Sequence, residues 1–264
     1  MNAAEVRGRT ALVTGASSGL GADFARILGA RGCHLLLVAR REERLQALRQ
    51  EIVDRYGVDV IVIAMDLSVT GAPRALYDEV KARGKLVDIL VNNAGYALYG
   101  QFVDISWERE RNMLELDIIT LTHMTKLFLR DMVAQNFGFI LQVASNGAFQ
   151  PTPTYATYSA AKAYVLSFGE AISYELRHTN VRCTVVAPGV TATEFLEVSG
   201  QRTTRYQRLA MMQSADVAAA GIEAMLKGRS SVVPGFANAL AAWSTRLMPR
   251  RLAAAVAERT MTSW

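Results

Sequence analysis

Two short stretches of this 264-residue chain carry residue types at spacings that could do chemistry. In YSAAK, residues 158–162, a phenol and an amine stand four positions apart. On a helix that spacing puts Tyr158 and Lys162 on one face, where they can act together. A phenol with its ordinary pKa near ~10 is a poor acid–base catalyst at neutral pH, and each unit of lowering represents about 1.4 kcal/mol of preferential stabilisation of the phenolate. A lysine one turn away supplies the positive field for that shift, so Tyr158 could donate a proton to a carbonyl oxygen as hydride reaches the carbon. The same letters read Ser159-x-x-Lys162, the serine/lysine acylation motif, but the S-D-N and K-T-G stretches that accompany it are absent.

The second stretch, TGASSGLG at residues 14–21, also has two readings. As G-x-S-x-G it is an elbow presenting Ser17 as a hydrolase nucleophile. Extended to Gly21, it is a glycine-rich phosphate cradle at a helix N-terminus. The surrounding elements decide between them. Apolar runs without polar alternation, at 11–15, 34–39, 58–64, 87–91, 138–144, 181–187 and 231–234, read as strands covered on both faces. Helical patterns at 20–31, 42–56, 72–83, 107–135, 155–178 and 215–227 lie between them. Strand then helix, repeated, predicts a single α/β domain over residues 1–264: a doubly wound, Rossmann-type, seven-stranded, mostly parallel sheet with helices on both faces. In such a sheet the first strand-to-helix turn holds phosphate, and Gly21 allows close helix–strand approach, a role no hydrolase elbow needs. A triad would also require a histidine on a strand-end loop, whereas His123 and His178 fall inside the long helical patterns.

Composition narrows the function further. A chain that is 51% hydrophobic can bury a large core without splitting. Its net charge of +5 is spread among 24 acidic residues instead of forming a basic face, which argues against nucleic acid as a partner. Three isolated histidines offer no metal-ligand spacing, so no metal is expected. Cys33 and Cys183, far apart beside apolar runs, read as buried reduced thiols. With no signal-peptide core at the start and no apolar run near ~18 residues, the expected location is the cytoplasm.

Taken in order, these motifs resemble the short-chain dehydrogenase/reductase family, and the resemblance runs from Thr10 to about Pro234. The family's TGxxxGxG is matched by Thr14, Gly15, Gly19 and Gly21, its NNAG by Asn92, Asn93, Ala94 and Gly95, and its PGxxxT by Pro188, Gly189 and Thr193. The resemblance implies a nicotinamide cofactor held by Gly15, Ser17, Ser18, Gly19, Leu20 and Gly21. Asp66 and Leu67 then lie beside adenine, Asn93, Ala94 and Gly95 on the adenosine side, and Pro188, Gly189, Val190 and Thr193 around the nicotinamide amide. It further implies that Ser145 orients the substrate oxygen, that Tyr158 is the acid or base, and that Lys162 lowers its pKa and holds the nicotinamide ribose. One position departs. Where the family usually has asparagine as the fourth catalytic residue, this chain has Asp117, which keeps an acceptor, loses the amide donor and adds a carboxyl that can charge.

The end of the second strand reads LLLVARRE, with no acid before Glu42 to take ribose hydroxyls. Arg40 and Arg41 suit a 2′-phosphate instead, which predicts NADP(H), with Arg40 as the principal contact. The alternative is that one of them, Arg41, merely opens the next helix. Tyr96, Phe149, Gln150, Tyr155 and Phe195, with Leu196, Met211 and Met212, fall where the family binds substrate. The segment 191–212 reads as a mobile lid, and its apolar, partly aromatic character suits a steroid, fatty acyl or aromatic carbonyl compound. The same residues are also compatible with ordinary packing under a loop. Residues 237–264 form an apolar, arginine-bearing tail, either a helix packed on a partner subunit or over the pocket, or an amphipathic segment at a membrane surface. A homodimer or homotetramer is implied by the family's habit of pairing its two long central helices. The expected activity is an NADP(H)-dependent ketone/alcohol oxidoreductase; a nucleotide-binding regulatory protein with little catalysis is the alternative.

Overall fold

In the first strand, Leu12 and Val13 point to opposite faces of the sheet and each enters a different, fully buried core. Burying one such side chain contributes about 1.5–3 kcal/mol, so a run apolar at every position is stabilised only if both faces are covered. The computed structural model describes residues 6–201 and 204–261 and shows that cover. Strands β1 (Thr10–Thr14), β2 (His34–Ala39), β3 (Val60–Ala64), β4 (Ile89–Asn92), β5 (Gly138–Val143) and β6 (Val181–Val186) pair in parallel, with β9 (Ser231–Val232) at one edge. Their order is β3-β2-β1-β4-β5-β6-β9. Every strand expected from the sequence is present, several one or two residues shorter, and each main-sheet pairing among the described residues is parallel.

Helices α1 (Gly19–Ala30), α2 (Glu42–Tyr56) and α9 (Ser214–Leu226) cover one face with stripes such as Leu45, Leu48 and Ile52. The other face carries α3 (Ala72–Ala82), α5 (Leu121–Ala134) and α6 (Ala156–Glu175). The single helix expected at 107–135 is α4 (Trp107–Leu114) running into α5 through a π-helical turn at Glu115–Thr120, which contains Asp117. Such turns are often found at functional sites.

Strand order reverses between β1 and β4, and a crevice opens beyond their carboxyl ends. Residues 191–201 and 204–212 bridge part of that crevice. Their ends are clipped together where β7 (Thr191–Ala192) pairs with β8 (Met212–Gln213), and α7 (Phe195–Ser199) and α8 (Arg205–Ala210) lie between. The chain finishes in α10 (Phe236–Ser244) and α11 (Arg250–Met261). Residues 202–203 of the expected lid and 262–264 of the tail lie outside the described residues. Among the described residues no helix is long and apolar enough to cross a membrane. Cys33 and Cys183 are buried and unpaired, and burial pushes both thiols up to about 12.

Candidate active site

After β1 the backbone turns through Gly15 (φ +66°) and Gly19 (φ +51°), left-handed conformations that favour glycine. Gly21 serves another purpose. A Cβ there would stand 2.2 Å from the carbonyl oxygen of Gly15 and 2.6 Å from Asn93 Nδ2, so only a glycine lets α1 close down on its own loop. The NNAG stretch is stitched to this loop: the backbone N–H groups of Asn93 and Ala94 both donate to Thr14 Oγ1 at 3.0 Å, and Asn93 Nδ2 donates to the Thr14 carbonyl at 2.9 Å. Beneath it, Asn92 Nδ2 donates to Thr125 Oγ1 at 3.0 Å and Gln142 Oε1 at 3.1 Å, while Gln142 Nε2 donates to Thr125 at 2.8 Å. Sequence reasoning missed Thr125 and Gln142. The signal was a lone glutamine inside the apolar run FILQVA, a buried polar group that needs partners.

A cleft of about 510 Å³ runs over these strand ends, within the range of small-molecule and cofactor sites. Its wall contains Gly15, Ser17, Ser18, Gly19, Leu20, Arg40, Arg41, Asp66, Leu67, Asn93, Ala94, Gly95, Pro188, Gly189, Val190 and Thr193. Gly21 supports the loop from behind. Ser17 Oγ accepts from Arg41 Nε and Nη2, both at 3.2 Å, which gives it a guanidinium as its partner and not an imidazole. His123 and His178 are exposed on their helices. Ser159, of the S-x-x-K reading, donates back to the Tyr155 and Ala156 carbonyls of its own helix. Arg41 does more than open α2: it also donates to Ser18 Oγ at 2.7 Å and pairs with Glu194 at 2.8 Å. Asp66, held below the usual carboxylate range by the Ser68 N–H and hydroxyl it accepts from, also feels the Arg40 charge. Glu194 was not anticipated at all.

The chemical groups meet at the opposite end of the cleft. Ser145, two residues past β5, takes a hydrogen bond from the Gly147 N–H at 3.1 Å and lies beside the Tyr158 phenol, where it opposes the rise of the phenol pKa. Lys162, one turn along α6 from Tyr158, is buried with Nζ 5.6 Å from the Tyr158 ring centre. It donates to the Val143 carbonyl at 3.3 Å and lies 3.0 Å from Asp117 Oδ2. Asp117 is fully buried behind Lys162, outside the cleft wall, and its Oδ1 accepts from the Tyr96 N–H at 3.2 Å. The ion pair is off a good hydrogen-bond axis, and burial pushes the Asp117 carboxyl up against the opposing pull of Lys162. Tyr158 is likewise raised, by burial first and by the Asp117 carboxylate second. In this structure burial and the Asp117 carboxylate set the direction for Tyr158, while the Lys162 ammonium lies against Asp117 at 3.0 Å.

The sequence matches the short chain dehydrogenase family over residues 9–203. The chain is a short-chain dehydrogenase. An uncharacterized oxidoreductase of Myxococcus xanthus is 32% identical over 250 residues, which cover 95% of this chain and 93% of that one. Among solved structures, a 7beta-hydroxysteroid dehydrogenase superposes with a TM-score of 0.88 at 25% identity, covering 97% of this chain and 99% of that one. A short-chain dehydrogenase of Sphingobium yanoikuyae in complex with NADPH gives 0.81 at 29%, covering 91% and 95%. The protein is an NAD(P)(H)-dependent oxidoreductase of this family. The glycine cradle, where even one Cβ would collide, fits the phosphates of such a cofactor.

Over the catalytic end, the dehydrogenase places an aromatic group in which the Tyr158 ring centre is 5.4 Å from Phe195 and 5.9 Å from Tyr155, and Tyr155 is 5.3 Å from Tyr99. Tyr96, Gln150, Tyr155 and Phe195 line the cleft as expected. Phe149 does not. It packs instead against the core group of Leu121, Val165 and Val185, because the 3-10 turn Asn146–Phe149 carries it under the loop. Met211 is also absent from the wall, and Met212 is held in β8. The tail supplies wall that the motifs did not reveal: Asn238, Ala241, Ala242, Met248, Val256 and Met261 face the cleft. Buried Gln201 joins tail to roof, its Oε1 accepting from Tyr155 at 2.7 Å and from Gln207 Nε2 at 2.8 Å while its Nε2 donates to the Met261 carbonyl at 2.5 Å. The other face of α10 leaves Phe236, Leu240 and Trp243 exposed.

Proposed function

We propose that this dehydrogenase interconverts a hydrophobic ketone and its alcohol with NADP(H). The observation that carries this reading is the position of Ser145, Tyr158 and Lys162 at the end of a dinucleotide cleft roofed by Phe195, Leu196, Ala242, Met248 and Met261. Such a roof excludes water and favours an apolar substrate such as a steroid, fatty acyl or aromatic carbonyl compound. The glycine loop would hold the cofactor's phosphates, Arg41 and Arg40 a 2′-phosphate, and Lys162 the nicotinamide ribose. When bound, the cofactor supplies or accepts the hydride. Ser145 orients the substrate oxygen, and the Tyr158 hydroxyl, protonated at neutral pH, donates its proton to that oxygen during reduction. The reverse reaction needs the phenolate and is favoured by alkaline pH.

NADPH consumption by purified protein, measured against steroid, long-chain acyl, aromatic and small polar carbonyl compounds with NADH alongside, tests the reading. Turnover of an apolar class with preference for NADPH is expected; turnover confined to small polar carbonyls would refute the substrate class. Exposed Val133, Tyr164 and Tyr174 on α5 and α6 support a dimer or tetramer built on those helices, which light scattering checks. The two reduced, buried thiols support a cytoplasmic location, which cell fractionation checks.

A further inference from the structure

A charged bridge crosses the adenosine side of the cleft, and the reaction itself has no need of it. Glu194 follows Thr193 at the start of the roof, and its carboxylate accepts from two arginines of the β2–α2 corner. Arg41 Nη1 reaches Oε2 at 2.8 Å, and Arg44 Nη1 reaches Oε1 at 2.5 Å. The two guanidinium groups hold the carboxyl down to about 2, so Glu194 is an anion throughout the working pH range. Arg41 turns its remaining nitrogens on Ser17 and Ser18, both in the cofactor cradle. The cation reaching into the cradle is thus already matched by an internal anion. Among the described residues Arg40 makes no ion pair, so the counter-anion acts on Arg41 and Arg44 selectively.

A phosphate monoester brings up to about two negative charges and three strong acceptor oxygens where the ribose of NAD(H) has a neutral hydroxyl. A guanidinium meets such a group best through two parallel N–H bonds. Arg41 can offer that fork only by giving up the Glu194 carboxylate, because Nη1 is engaged there and Nη2 on the serines. The Glu194 side chain is 37% exposed and those of Arg41 and Arg44 more so. Solvent screening keeps a bridge of that kind weak, and a more highly charged anion can displace it.

We propose that Glu194 sets the cofactor discrimination of this enzyme: it is an intramolecular counter-anion that competes with the 2′-phosphate of NADP(H) for Arg41 and Arg44 and leaves NAD(H) binding almost untouched. The inference rests on the arginine reading above and extends it to a residue on the roof. A carboxylate that instead pre-organised the arginines would have the opposite sign, since its removal would weaken phosphate binding.

Calorimetric binding of 2′,5′-ADP and 5′-AMP to the full-length protein isolates the 2′-phosphate without turnover. Glu194→Gln, which keeps shape and removes charge, is expected to tighten 2′,5′-ADP about tenfold, to leave 5′-AMP within twofold, and to lose most of that gain in high salt as screening grows. In an Arg41→Ala, Arg44→Ala background the same substitution should change 2′,5′-ADP binding by less than about twofold, because the competition has no object. Unchanged or weaker 2′,5′-ADP binding by Glu194→Gln, with affinity still lost in the double-alanine protein, would overturn the competition and leave the arginine reading standing. Wild-type 2′,5′-ADP affinity in the double-alanine protein would overturn the competition and remove Arg41 from the arginine reading, leaving Arg40 to hold the 2′-phosphate.

Discussion

The floor and the roof of the cleft are built on different physics. The floor comes from β1, β4, β5 and α6, whose functional side chains are braced by buried partners: Thr14 ties Asn93 and Ala94, Gln142 ties Asn92, and Asp117 pairs with Lys162. The roof is made of two-residue strands, helices of five and six residues, and a tail with an exposed apolar stripe, joined by a few side-chain hydrogen bonds around Gln201 and Gln207. Elements so short contribute little helix or sheet stability of their own, because nucleation costs more than one turn returns. We propose that the floor keeps the reacting groups aligned while the roof, built of short elements, adjusts to the substrate.

Variants that break this contrast range from the largest effect to the smallest. On the floor, Tyr158→Phe removes the transferred proton, and steady-state turnover should fall by about 10³-fold or more while NADPH affinity by fluorescence titration stays within about threefold. Gly21→Ala drives a methyl into the Gly15 carbonyl, so the cradle must open. Overpacking of this kind costs about 1–3 kcal/mol, and a fall in NADPH affinity of at least about tenfold with a lower melting temperature is expected.

On the roof, Gln207→Leu leaves the Thr204 N–H and Gln201 Oε1 short of partners. Losses of this type are about 1–3 kcal/mol. If the roof only shapes the pocket, KM for an apolar ketone rises about five- to tenfold with kcat within twofold; an equal fall in kcat would place the roof in the chemistry.

Asp117→Asn sharpens the comparison with the smallest expected effect. The Asp117 carboxylate raises the Tyr158 pKa and offsets Lys162, so removing it lowers the phenol pKa. Alcohol oxidation needs the phenolate, and the rise of its rate with pH should move to lower pH; an unmoved profile would remove Asp117 from the proton pathway.

Legibility in the sequence followed the same division. The cradle could be read because its glycines answer to local constraints, two positive φ values and one close approach within seven residues. Tyr158 and Lys162 were legible because a four-residue spacing on a helix places them together whatever the rest of the chain does. Phe149 was misplaced because position after β5 suggests the cleft, and only the turn that follows decides which way the ring points. Gln201 and Gln207 gave no signal, since their partners Tyr155 and Met261 are 46 and 60 residues from Gln201 in the chain.

By itself the sequence determined the alternation of strand and helix, the glycine turn after the first strand and the shared helix face of Tyr158 and Lys162, because periodicity, backbone conformation and one-turn spacing are properties of neighbours. Only the tertiary structure decided that Asp117 neutralises Lys162, that Glu194 is seated on Arg41, and that the C-terminal helices form part of the cleft wall. These pairings join residues about 45 to 150 positions apart, and the charge each group feels depends on which distant element the fold brings against it.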